Sequence, residues 1–266
     1  MKKYLEMKLK NKILLVVTTY NQLEYTKLFI DSFNKLINKP DLLIIDDCST
    51  DDTVEWCKGE SINIITKDVG NGLTDSWNIG YDYFKKGGYD KFILANNDIL
   101  IPSNSIEELS NVLDYWPCSL VVPMSTKLGA GHNQVQIIDN WWGSQPEYSS
   151  AEYYQEIQDR ILNVKEEEFK SNNLYKFDPI RMKFFNGFFF MMSRNICKYE
   201  RDDGKLFDPE FINIKNEDEF NWCNLIPNND FAMLCKTSFV YHYKGVSFSK
   251  AGIPYSNDKV EFFNQR

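Results

Sequence analysis

In the first half of the chain, four apolar runs each end in an unusual polar cluster. ILLVV leads into Thr18-Thr19-Tyr20-Asn21, LLII into Asp46-Asp47, INIITK into Asp68-Val69-Gly70-Asn71-Gly72, and FILA into Asn96-Asn97-Asp98. Asp98 stands between two apolar stretches, and its carboxylate suits a hard cation. Mn2+ or Mg2+ takes oxygen ligands, typically one or two protein carboxylates with phosphate oxygens and water. Asp47 is an acceptor for an N–H of a base or for a ribose hydroxyl. Asp46 and Asp51 have a plainer use, helping Ser49 and Thr50 to start the next helix. Thr18 and Tyr20 follow the first run, where backbone and an aromatic ring suit a base. Asn71 and Gly72 allow a tight turn and a close backbone approach. GNGLTDS bears a superficial likeness to a dinucleotide-binding glycine loop, yet it follows the third run rather than the first and lacks a third glycine.

The charge of the chain decides how an anionic ligand would be held. With 38 acidic against 30 basic side chains the formal charge is −8, the reverse of what a protein built for nucleic acid backbones carries. No nucleic acid partner is expected. A diphosphate would need local neutralisation by a metal, by backbone N–H groups or by a few basic side chains. The six cysteines, at 48, 57, 118, 197, 223 and 235, form no CxxC pair. With only His132 and His242 beside them, a structural zinc site does not fit. The opening MKKYLEMKLKNKILLVV is basic, but its apolar run is too short for a signal peptide. No apolar segment approaches the length of a membrane helix. These features read as a soluble protein of a reducing compartment, most simply cytoplasmic, with room for peripheral membrane association.

Such clusters act together only if the backbone gathers them. ILLVVTTY (13–20), LLIIDD (42–47), INIITKD (62–68), KFILANND (91–98) and SLVVPM (119–124) read as strands. Between them, helical spacing runs through Tyr25, Leu28, Phe29 and Phe33, opens again at DDTVEWCK, passes through Trp77 and Tyr81, and returns at Ile106, Leu109 and Leu113 behind a Ser103 cap. Buried strands alternating with helices predict an α/β fold with a central, mostly parallel twisted sheet flanked by helices. Ligands of such sheets sit outside the carboxyl ends of the strands, so parallel pairing would line the four clusters along one edge. After Pro123 the rhythm changes. Residues 125–150 read as loop, 151–170 as helix, RMKFFNGFFFMMS (181–193) as a strand with a central glycine, NEDEF as a helix start, and FAMLCKTSFVYHY (231–243) as a last strand. A single domain over 1–266 is expected, with a nucleotide-type half to about residue 124 and an elaborated half after it.

VVTTYNQ, IIDDCSTDDT, NGLTDSWNIG and ILANND together resemble the GT-A fold glycosyltransferases, specifically the family 2-like inverting group. The likeness continues in FNGFFFMMSR, similar to a GxFxxxxR-type segment beside the donor sugar, and in FDPEFINIKNEDEFNW, similar to an FDExFFxYxEDxD segment. SFVYHYKGVS resembles the C-terminal H-x-x-G-x-S stretch, so the likeness covers most of residues 13–247. The resemblance implies a GT-A (nucleotide-diphospho-sugar transferase) fold. It implies transfer of a sugar from a nucleoside-diphosphate sugar, of UDP or dTDP type, to a hydroxyl of a glycan or glycoconjugate acceptor, assisted by Mn2+ or Mg2+. Thr18, Tyr20 and Asp47 match nucleotide-binding positions, with Asn71 nearby. Asn96-Asn97-Asp98 matches the DxD motif, with Asp98 the metal ligand. Asp218, in Glu217-Asp218, matches the catalytic base, and His242 a position that in some relatives helps to bind metal or diphosphate. The NND variant is similar to rhamnosyltransferase-like members, which makes rhamnose a candidate sugar. On this reading residues 11–124 bind the donor, 125–250 supply the acceptor and catalytic half, and 251–266 form a tail.

The chemistry agrees with those positions. Inverting transfer needs a carboxylate base on the acceptor hydroxyl, opposite the leaving nucleotide, and positive charge on the departing diphosphate. Plainer roles exist for several of these residues. Glu217, Asp218 and Glu219 also suit the acidic first turn of a helix, and His242 suits a satisfied histidine at a strand end. Trp141-Trp142 fits stacking on an acceptor sugar or core packing; Lys244 and Arg194 fit the diphosphate or a solvated surface. A nucleotidyltransferase would share the sheet but wants a Gly- and basic-rich loop after the first strand, which TTYNQLEY lacks. A non-catalytic carbohydrate-binding protein would explain the aromatics but not the strand-end set or Asp218.

Overall fold

A strand covered on both faces must be apolar at consecutive positions. That is how β1 (Ile13–Thr19), β2 (Asp41–Asp46), β3 (Ile64–Thr66) and β4 (Lys91–Asn96) are written. Leu14 and Val16 enter one core cluster while Leu15 and Val17 enter the other. The first cluster takes Trp77, Tyr81 and Phe84 from helix α3 (Leu73–Gly87). The second takes Phe29, Ile30 and Phe33 from α1 (Leu23–Asn34), and Ile106, Leu109 and Val112 from α4 (Ser105–Tyr115). A short α2 (Thr53–Gly59) links β2 to β3. Where α3 crosses β1 the approach is close: a Cβ added at Gly80 would lie 2.8 Å from Val16 Cγ1.

The computed structural model describes residues 11–126, 136, 151–163, 178–210, 220 and 224–243. The remaining elements are β5 (Ile99–Leu100), β6 (Leu120–Met124), α5 (Ala151–Asn163), β7 (Ile180–Met182), β8 (Phe189–Ser193), β9 (Ala232–Phe239) and β10 (Tyr241–His242). The main sheet runs β3-β2-β1-β4-β8-β6-β9-β7, and β5 pairs separately with β10. β1, β2, β3 and β4 are parallel to one another. β8 is antiparallel to both β4 and β6, β9 is parallel to β6, and β7 is antiparallel to β9. The expected mostly parallel sheet flanked by helices is therefore present, with β8 set between two parallel blocks.

Three local expectations are corrected. The predicted strand 181–193 is two strands in different places: β7 pairs with β9, whereas β8 pairs with β4 and β6. The predicted strand 231–243 breaks at Val240, because β9 stays in the main sheet while β10 leaves it for β5. Ser103 does not cap α4. The N-cap is Asn104, and the Ser103 N–H is donated to Gln155 Oε1 at 2.7 Å. Of the predicted helix 151–170, Ala151–Asn163 is helical, and the predicted helix at NEDEF lies outside the described residues.

Candidate active site

The strand order reverses at β1, which has β2 on one side and β4 on the other. A crevice opens at such a switch point, outside the carboxyl ends of the strands. The four polar strand ends stand level there. Thr18 is in register with Ile45 and with Asn96, Thr19 with Asp46, and Asp46 with Thr66.

Two of the acidic residues serve the backbone. Asp46 is fully buried, and its Oδ2 accepts the Ser49 N–H at 3.0 Å. Asp51 accepts the N–H of Thr53 at 3.1 Å and that of Leu23 at 3.2 Å, tying the starts of α2 and α1 together. Asn21 completes this knot from a left-handed conformation (φ 56°), its Oδ1 taking the N–H groups of Thr50 and Asp51. A shallow depression of about 450 Å3 opens over this knot, lined by Asn21, Gln22, Leu23, Glu24, Thr50 and Asp51. Asn21, Leu23, Thr50 and Asp51 in its lining are already engaged in the knot, whereas Asp47 and Asp98 lie elsewhere.

Asp47 turns the other way. Its carboxylate accepts the Gly72 N–H at 3.0 Å and lies 2.7 Å from Lys67 Nζ. Gly72 permits this with φ 84°, a left-handed conformation natural to glycine. The Lys67 ammonium also reaches Asp75 Oδ2 at 2.8 Å. Lys67 was not singled out in the sequence, where the only signal was a lone basic residue among acidic and amide strand ends. Cys48, between Asp47 and Ser49, donates its thiol to the Lys67 carbonyl oxygen, and burial with Asp47 and Asp46 raises its pKa. It remains a thiol rather than a nucleophilic thiolate.

The fourth cluster is anchored by its middle residue. Asn97 is buried, and its Nδ2 donates to the hydroxyls of Thr19 and Thr26, both at 3.1 Å, joining β4 to β1 and α1. Thr18 is buried beside the Ala95 carbonyl; Tyr20 is half-buried, Asn96 is half-buried with its N–H on Phe188, and Asn71 is exposed. Asp98 sits in the bend between β4 and β5, 4% exposed. The β5–β10 pair places His242 opposite Ile99, and Tyr243 N–H donates to the Asp98 carbonyl at 2.9 Å. His242 Nε2 consequently lies 3.2 Å from Asp98 Oδ1, and its ring lies flat on Phe188, centroids 4.6 Å apart. Phe188, His242 and Tyr243 of the C-terminal half are thus gathered at the bend that carries Asp98 in the N-terminal half.

Among the described residues no group of three or more His, Cys, Asp and Glu side chains converges as a metal cage. Asp98 with His242 offers one oxygen and one nitrogen donor, a set that fits an ion completing its coordination with phosphate oxygens and water. Arg194 does not belong to the site. It follows β8, whose end pairs with Lys91 at the opposite edge, and it donates to the Tyr89 carbonyl. Asp218, Glu217, Glu219, Trp141, Trp142 and Lys244 lie outside the described residues.

This fold and edge define an open α/β protein of the doubly wound kind, with acidic groups at its switch point. The chain belongs to glycosyl transferase family 2, whose profile matches residues 14–199. Among curated relatives, an undecaprenyl-phosphate mannosyltransferase of Micrococcus luteus is 24% identical over 108 residues, 39% of this chain and 43% of the relative. Among solved structures, S. aureus TarS superposes with a TM-score of 0.54 at 14% identity, over 87% of this chain and 60% of that one. The mannosyltransferase PcManGT of Pyrobaculum calidifontis, in complex with GDP-Man and Mn2+, superposes with a TM-score of 0.57 at 12% identity. That match covers 94% of this chain and 64% of PcManGT, so the chain spans less than two thirds of each of these relatives. The structural likeness establishes the fold, the GT-A arrangement expected from the motifs.

Proposed function

We propose that the chain is an inverting, metal-assisted glycosyltransferase. Its donor is a nucleoside-diphosphate sugar of UDP or dTDP type, with rhamnose the first sugar to try, and its acceptor is a hydroxyl of a glycan or glycoconjugate. The observation that carries this reading is the buried Asp98–His242 pair at the switch point of a family 2 fold. Asp47 would accept an N–H of the base, Tyr20 and Thr18 would flank it, and Asn71 and Asn96 would edge the crevice. Asn97 would hold the crevice walls together through its two threonines. Asp98 and His242 would hold Mn2+ or Mg2+, which supplies positive charge for the departing diphosphate. Asp218, with Glu217 beside it, would take the proton of the acceptor hydroxyl as that oxygen attacks the anomeric carbon. The nucleoside diphosphate leaves from the opposite face.

Free thiols at Cys48, Cys57, Cys118, Cys197 and Cys235 fit a reducing, cytoplasmic setting. No helix among the described residues is long and apolar enough to cross a membrane. The test is a screen of UDP-, dTDP- and GDP-sugars for hydrolysis with and without Mn2+, GDP-sugars being included because PcManGT is seen with GDP-Man. Slow Mn2+-dependent hydrolysis of one donor, lost in Asp98→Ala, is expected. Transfer that survives both Asp98→Ala and Asp218→Asn would overturn the site.

A further inference from the structure

Lys67 is a buried cation at the candidate site that the proposed chemistry leaves unused. Its side chain is 5% exposed, and its Nζ lies 2.7 Å from Asp47 and 2.8 Å from Asp75. The Gly72 carbonyl and the Ser76 hydroxyl follow at 3.4 Å. An ammonium has three protons, and these neighbours engage all of them. Lys67 is therefore not placed to hand a proton to a ligand. What it does is hold Asp47.

We infer that Lys67 is a positioning residue for the donor nucleotide, acting through Asp47. This rests on the reading of Asp47 as the base acceptor. Asp47 directly follows β2, but the groups that fix its carboxylate belong to the β3–α3 connection: Lys67, and the Gly72 N–H. The same connection lies flat against it, since a Cβ at Gly70 would stand 3.4 Å from the Asp47 carbonyl oxygen. Asp47 and Asp75 touch the same ammonium. Without that cation two carboxylates face each other across a poorly solvated gap, and removing one partner of a buried pair leaves the other charge uncompensated. Asp75, 35% exposed, can turn to water. Asp47, 18% exposed, is drawn away from the base position and carries the Gly72 contact with it. Because the lysine acts at the base end, its loss raises the donor KM and leaves kcat largely intact.

The experiment compares wild-type protein, Lys67→Met, Lys67→Gln and Lys67→Arg by calorimetric titration with UDP, dTDP and GDP, and with pyrophosphate, all with Mn2+. Pyrophosphate carries the metal-binding anion but no base. Lys67→Met is expected to weaken the preferred nucleotide about tenfold or more while pyrophosphate binds as in wild type. Lys67→Arg, which keeps a cation between the carboxylates, should recover binding to within about threefold. Should Lys67→Met not fold, Lys67→Gln, which keeps a hydrogen-bonding side chain without the charge, carries the test, with nucleotide affinity lowered severalfold and pyrophosphate unchanged. Unchanged nucleotide affinity on loss of the Lys67 charge overturns the inference, as does an equal loss of nucleotide and pyrophosphate. If wild-type protein binds pyrophosphate but none of the nucleotides, the donor reading of Asp47 falls first.

Discussion

At the scale of residues, the candidate site brings a carboxylate and an imidazole together in place of a basic patch. Asp98 is the one carboxylate of its polar triplet, and His242 lies 3.2 Å away, where on the proposed reading it would be the second donor. If Asp98 is the charged ligand of the proposed metal site, Asp98→Ala should lower Mn2+-dependent donor hydrolysis by about a hundredfold or more. His242→Asn keeps the carboxylate, and should raise the Mn2+ concentration for half-maximal activity roughly tenfold. A Mn2+ titration of initial rates separates the two variants. Asp98 was legible because a carboxylate between FILA and ILIP is out of place in a buried strand. His242 was legible only through the family resemblance, since its approach to Asp98 depends on β10 leaving the main sheet. Lys67 was not legible. Its burial depends on Asp47 and Asp75, which the strand pattern does not bring to it.

At the scale of elements, α3 does more than cover the sheet. Asn78, buried on its inner side, clamps the segment before Asp208: its Oδ1 accepts the N–H groups of Leu206 and Phe207, and its Nδ2 donates to the Phe207 carbonyl. Phe207 packs in turn on Trp77 and Phe220. Asn78→Leu would strand three buried backbone groups at about 1–3 kcal/mol each before relaxation. A fall in stability of roughly 3 kcal/mol in urea titration is expected. Gly80 faces Val16 on the same helix. Gly80→Ala gains helix propensity of about 1 kcal/mol but drives a methyl to 2.8 Å from Val16 Cγ1, an overpacking that costs roughly 1–3 kcal/mol. Net destabilisation is expected in the same titration. The parallel block was readable because strands buried on both faces must be apolar throughout. The split of 181–193 was not, because FFNGFFFMMS is apolar on either side of the turn, and which sheet neighbour each half meets is set by distant strands.

At the scale of the molecule, the C-terminal half is tied together at the edge away from the candidate site. Asp230 is buried there and binds the Ser119 N–H and hydroxyl, the Tyr199 hydroxyl and Lys198. Burial alone would raise its pKa, but the hydrogen bonds from Ser119 and Lys198 outweigh burial and hold it below the ordinary 3.8. A carboxyl depressed in the folded state stabilises fully above that ordinary value, and its contribution is lost as pH falls through the folded value. Acid unfolding of wild-type protein should therefore steepen below about pH 4, and Asp230→Asn should be less stable at pH 7 with a flatter acid limb, read from Tm against pH. The placement of β8 between two parallel blocks has a different consequence, in the order of synthesis. β1 to β4 can pair as soon as they emerge. β6, ending at Met124, has only β8 and β9 as neighbours in the main sheet among the described residues, so LVVPM must wait until the ribosome has passed Ser193. At ~5–20 residues per second that is a delay on the order of several seconds, during which an apolar strand has no partner of its own. Nascent chains stalled just after Met124 should be captured by chaperones far more than chains stalled after β9.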